Sequence, residues 1–119
     1  MKPSEMNEFL RAYITCALWS SSDSEEEPLD NNYTVEDIDG EVIESMLRDC
    51  AKFEEENEKL LEDLDREQSG HDFWLTRNGH GAGFWDRGLG EVGDKLTEAC
   101  EKYSEVNLYV GDDNKIYQG

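Results

Sequence analysis

The stretch from Gly70 to Gly90, GHDFWLTRNGHGAGFWDRGLG, constrains the fold more than any other part of the chain. It holds both histidines, two of the three tryptophans, two of the four phenylalanines and six of the ten glycines. Aromatic side chains carry the largest hydrophobic area of any residues, so such a cluster belongs in a core rather than on a loop. Phe73 and Leu75 alternate with Trp74 and Thr76, a period of two that reads as a strand. Asn78-Gly79 is a turn signal, because both residues tolerate positive φ, and Phe84-Trp85-Asp86 is the return strand. The segment is therefore expected to be an aromatic β-hairpin at the rigid centre of the fold. Its tryptophans are expected to be core, although exposed ones would mark a protein contact.

Helical periodicity frames this hairpin on both sides. Ser4 is a plausible N-cap for a first helix over about 4–19, with Met6, Phe9, Leu10, Tyr13 and Ala17 on one stripe. Residues 20–33 are a polar acidic loop in which Pro28 prevents helix extension. Thr34 or Asp39 then caps a second helix of roughly 25 residues, on which Ile43, Met46, Cys50, Phe53, Leu60 and Leu64 share a face. Gln68-Ser69-Gly70 is expected to end it. A third helix carries Leu89, Val92, Leu96, Cys100 and Tyr103. The chain closes on a second hairpin, Val106–Val110 and Lys115–Tyr117, around the turn Gly111-Asp112-Asp113-Asn114. The order α-α-β-β-α-β-β indicates an α+β fold, one domain over 1–119, with a small antiparallel sheet and helices on one face.

Charge limits what such a fold can bind. The net charge is −19 over 119 residues, and residues 23–68 alone carry −15 while residues 1–22 are neutral. Nucleic acid and anionic membranes would repel this chain. Cys16, Cys50 and Cys100 are scattered and odd in number, so they are read as reduced, buried thiols rather than a disulfide framework or metal knot. The apolar run Ala12–Trp19 is too short and amphipathic for a signal or a membrane span, so the chain is cytosolic in character.

Three constellations could carry chemistry. The second helix presents Glu44, Asp49, Glu54, Glu55, Glu56, Glu58, Glu62 and Asp63 outward, at spacings of about 5–6 Å between neighbours on a face. That approaches the charge density of a DNA backbone, and a protein built to hold phosphates could bind the helix instead. The plain alternative is a solvated face, supported by Glu44–Arg48, Glu55–Lys59 and Glu62–Arg66 at i,i+4. Separately, His71, Asp72, His80 and Asp86 could converge across the hairpin as metal ligands or an acid–base pair, with Arg77 and Asn78 at the loop. Their spacing matches no established zinc pattern, and a histidine at a strand start is commonly a structural hydrogen bonder. Finally, Gly88-Leu89-Gly90-Glu91-Val92-Gly93 matches G-x-G-x-x-G. Glu91 in the loop and the short chain oppose a dinucleotide site, so close packing of the helix start is the expected role.

The words HDFWLTRNGHGAGFWD, with Leu108-Tyr109-Val110-Gly111-Asp112-Asp113 downstream and Phe9-Leu10 and Ala17-Leu18-Trp19-Ser20-Ser21 upstream, resemble a family of small acidic proteins encoded by bacteriophages and prophages. The resemblance covers most of the chain. It implies a phage origin and action in the cytoplasm of the bacterial host, and brings no activity, cofactor or catalytic residue with it. Small acidic phage proteins often inhibit host restriction, CRISPR or repair factors. The expectation is thus a non-enzymatic inhibitor, without metal or cofactor, whose acidic helix meets the basic surface of a host or phage nucleic-acid-binding protein. The alternatives are a small metal-binding, ligand-binding or catalytic domain on the hairpin, and a phage accessory protein whose charge serves solubility only.

Overall fold

A computed structural model of the chain describes residues 6–22, 26–79 and 83–119. Ser4 and His80 lie outside the described residues, as does the side chain of Asp86. The helix α1 (Glu8–Ser20) is capped by Asn7, whose side chain accepts from the Leu10 amide at 2.8 Å. The loop that follows holds a short antiparallel bridge between Ser22 and Pro28, then a 3₁₀ turn (Leu29–Asn31) that buries Leu29. Thr34 and Asp37 form a capping box on a second 3₁₀ turn (Val35–Asp37), and of the two expected caps it is Asp39 that caps α2 (Gly40–Glu56), accepting from the Glu41 amide.

The long acidic helix is broken. α2 ends at Asn57, where φ −119° and ψ 22° leave the helical range, and a four-residue helix α3 (Glu58–Leu61) follows. The Asn57 amide side chain donates to the Phe53 carbonyl at 2.9 Å, the local bond by which asparagine competes with a continuing helix.

The aromatic segment is a helix and not a hairpin. α4 (Arg66–Arg77) runs straight through Ser69-Gly70 and Phe73-Trp74-Leu75, capped by Asp65, and Phe84–Asp86 is a 3₁₀ turn rather than a return strand. Ser69, Gly70, Asp72, Phe73, Trp74, Leu75 and Arg77 are all buried. A helix covered on most sides shows no apolar stripe, so the period-two pattern of four residues was compatible with either geometry. The element packed most extensively against it is α1. Gly70 permits that approach, since a Cβ there would collide with the Phe9 carbonyl oxygen.

α5 (Glu91–Cys100) starts at the glycine motif. Gly88 and Gly90 have φ of 70° and 63°, and a Cβ on Gly93 would sit 2.8 Å from the Phe84 carbonyl oxygen. The motif is a tight entry and close packing, and the element before it is the 3₁₀ turn Phe84–Asp86 rather than a strand. The C-terminal hairpin forms with a shorter first strand than expected and a second one residue further on: β1 (Leu108–Val110) and β2 (Ile116–Gln118) pair antiparallel, Tyr109 opposite Tyr117. Asp39 adds one parallel contact, donating its amide to the Ile116 carbonyl at 2.9 Å. The fold is α+β, with five α-helices and one two-stranded sheet among the described residues.

The core is one apolar cluster drawn from every helix but α3 and from both strands. At its centre Phe53 stacks on Phe73 with ring centroids 4.2 Å apart, while Phe9, Tyr13, Trp74, Phe84 and Tyr103 close around them. Cys16, Cys50 and Cys100 are free and buried. Burial pushes the Cys16 and Cys100 thiols up to about 12, which leaves them protonated and inert. Trp85, expected in the core, is 52% exposed, as is Trp19 at 58%. No helix among the described residues is long and apolar enough to cross a membrane.

Candidate functional site: a buried ionic core beneath an acidic surface

The polar residues of the aromatic segment turn inward. Arg77, expected at a loop tip, lies in the last turn of α4 and is 7% exposed. Its guanidinium donates to Asp49 at 2.8 Å, to the Tyr13 hydroxyl at 3.1 Å and twice to the Ser104 carbonyl, at 2.8 and 3.1 Å. The same group lies over the rings of Phe73 and Tyr103, its Cζ 5.5 and 5.3 Å from their centroids. Burial opposes the charge, but the Tyr13 and Asp49 oxygens outweigh it and hold the guanidinium above its ordinary value. Burial drives the Tyr13 hydroxyl well upward, so it stays neutral and can accept. Asn78, also expected at the loop, caps α4. Its side-chain amide donates to the Trp74 carbonyl and its oxygen accepts from the Val106 amide.

Asp72 makes a second buried pair. The carboxylate is 1% exposed, accepts from Arg87 at 2.8, 3.1 and 3.2 Å, and takes a further bond from Gln68. Both of its oxygens accept from the guanidinium, so the Asp72 carboxylate is engaged in an ion pair inside the fold. His71 stands one residue earlier on another side of α4. Its ring packs against Trp19 at 6.2 Å, and its Nδ1 is buried without a hydrogen-bond partner. Burial lowers its pKa below the ordinary value, so the ring is neutral at pH 7. It borders an open cleft of about 630 Å³ between α1 and α4, which Arg11, Thr15 and Gln68 also line. Among the described residues no group of three or more histidine, cysteine, aspartate or glutamate side chains could hold a metal ion.

The eight carboxylates expected to face a partner divide into two sets. Asp49 is spent on Arg77, and Glu54 on Arg66, through a bidentate contact of 2.9 and 3.2 Å. Glu44, Glu55, Glu56, Glu58, Glu62 and Asp63 are exposed and meet no cation at ion-pair distance among the described residues. The i,i+4 pairs expected on a continuous helix do not form there. Arg66 belongs to α4, so it turns away from Glu62 to Glu54.

The sequence missed the partners that make these pairs internal, Tyr13 for Arg77 and Arg87 for Asp72. One signal was available. An arginine four and three residues after Phe73 and Trp74 shares their helical face, and in a chain with only eleven basic residues a cation there belongs to the core. Comparison with family models, curated proteins and solved structures gives no match.

Proposed function

We propose that this protein binds, and inhibits, a nucleic-acid-handling protein by offering carboxylates where that partner holds phosphates. One observation carries the reading. Glu55, Glu56, Glu58, Glu62 and Asp63 stand exposed, with no ion pair among the described residues, within nine positions spanning the α2–α3 break, and Arg66 close by is engaged by Glu54. Like charges at that density repel and cost stability in the free protein, and a basic surface relieves the cost on binding. The sequence resemblance to phage proteins supports an anti-restriction, anti-CRISPR or repair-inhibitor role in a bacterial host, without enzymatic activity.

The test is capture of partners from a bacterial lysate at low and at high salt, with DNA as competitor. Bound nucleic-acid-handling proteins should be released both by salt and by DNA, and a triple charge reversal (E55K, E58K, E62K) should not capture them. Retention at high salt, or full binding by the triple variant, would sink the reading.

A second reading, a small-ligand site in the α1–α4 cleft, rests on the unpartnered Nδ1 of His71. It requires His71→Ala to abolish function while leaving stability intact. It is the weaker of the two, since Asp72, Arg77 and Asn78 are all committed to the fold.

A further inference from the structure

The break at Asn57 does more than interrupt a charged helix. The last turn of α2, the short α3 and the first turn of α4 together enclose a groove of about 460 Å³. Its lining includes the half-buried apolar side chains Leu61 and Leu64, and Glu55, Glu58 and Glu62 stand exposed around it. A flat acidic helix would attract any cation equally. An apolar groove edged by carboxylates selects a side chain with an apolar stem and a cationic head, which is the construction of arginine and lysine. Among these, the planar guanidinium fork matches carboxylates two at a time. Arg66 shows that fit from within the chain. It lines the same groove, half-exposed, and grips Glu54 through two parallel N–H···O bonds.

We infer that this groove is the docking seat for an arginine-bearing amphipathic segment of the partner, with Arg66 as an internal competitor for it. The inference rests on the carboxylate-decoy reading above and narrows it from a charged face to one groove. The partner segment lays an apolar side chain and an arginine stem on Leu61 and Leu64, and its guanidinium meets Glu55, Glu58 or Glu62. Affinity then depends on shape and apolar contact as well as on charge.

The test uses the full chain and two capped probes, a hexapeptide alternating arginine and leucine and a hexalysine peptide. Binding is followed by amide chemical shifts at low salt. The arginine–leucine probe should shift amides within residues 54–66 and bind about tenfold more tightly than hexalysine, the scale of burying part of one leucine-sized side chain. Arg66→Ala should tighten it severalfold more than Lys115→Ala, which removes the same charge from the C-terminal hairpin. Leu64→Ser, its fold verified by circular dichroism, should weaken the arginine–leucine probe and leave hexalysine unchanged.

Equal affinities for the two probes, or equal tightening by the two charge-removing variants, would overturn the groove while leaving the decoy reading standing. Failure of both probes to bind would remove the decoy reading itself. Concentration-dependent shifts of the same amides without peptide would assign the groove to a second copy of the chain and overturn the inference.

Discussion

Arg77 decides the chemistry of the aromatic segment at the scale of a single residue. A charged side chain 7% exposed survives because its guanidinium is bonded to Asp49, Tyr13 and Ser104 at its edge and lies over the rings of Phe73 and Tyr103. Removing it leaves Asp49 without its cation and the Ser104 carbonyl without two donors. Arg77→Ala should therefore lose about 3–5 kcal/mol in urea unfolding. Arg77→Lys should recover less than half of that, because an ammonium cannot bond the carboxylate and carbonyl in one plane. A lysine variant as stable as the parent would show that only charge matters there. His71 gives the pH dependence. Its folded pKa lies below the ordinary 6.5 through burial, so the unfolded chain binds the proton more readily. The contribution of the neutral ring is complete above about pH 6.5 and is lost as pH falls from there toward the folded pKa. Falling pH also neutralises carboxylates, so the measurement is a difference: between pH 7 and 5 the parent should lose more stability than His71→Gln. Parallel curves would contradict the buried, unpartnered Nδ1.

At the scale of elements the decisive contact is α1 against α4. Helix propensity alone says that alanine should replace Gly70 with a gain of about 1 kcal/mol. Packing says the opposite, since the added methyl meets the Phe9 main chain, which cannot swing aside as a side chain could. Gly70→Ala should come out destabilising by at least ~1 kcal/mol net, read from the denaturant midpoint. A more stable variant would mean that the two helices have room to separate. The same contact explains why the segment's pattern does not match its structure. Asp65 is a sound helix cap and residues 70, 73, 74 and 77 recur at helical spacing. Glycine and the short alternation Phe73–Thr76 pointed to a turn and a strand, and both signals were overruled by packing on several sides.

For the whole molecule, the distribution of charge matters more than its total. Among the described residues three ion pairs use Asp49, Glu54 and Asp72, and the remaining exposed acids of α2 and α3 repel one another across water. Salt screens such repulsion with a Debye length of about 8 Å at physiological strength. Thermal stability should accordingly rise with sodium chloride, by about 1 kcal/mol or about 4 °C in Tm for a chain of this size. A Tm that stays flat or falls would show that the exposed carboxylates do not strain the free protein, and would remove the energetic argument for a basic partner.

Periodicity by itself determined the first helix, the capped start of the second, the helix over Leu96 and Cys100, the C-terminal hairpin and the buried state of the three cysteines. Each of these has one face in the core and one in water, so its pattern is written along the chain. The concentration of negative charge between residues 23 and 68 was equally legible, because net charge needs no coordinates. Only the tertiary structure decided that the aromatic segment is a central helix, that Asn57 divides the acidic one, and that Arg77, Asn78 and Asp72 serve the fold. The physical reason is common to all three. A helix enclosed on most sides has no polar face to betray its period, and the partners of a buried charge lie far along the chain: Arg77 meets Asp49 and Tyr13 only because α1, α2 and α4 share one core.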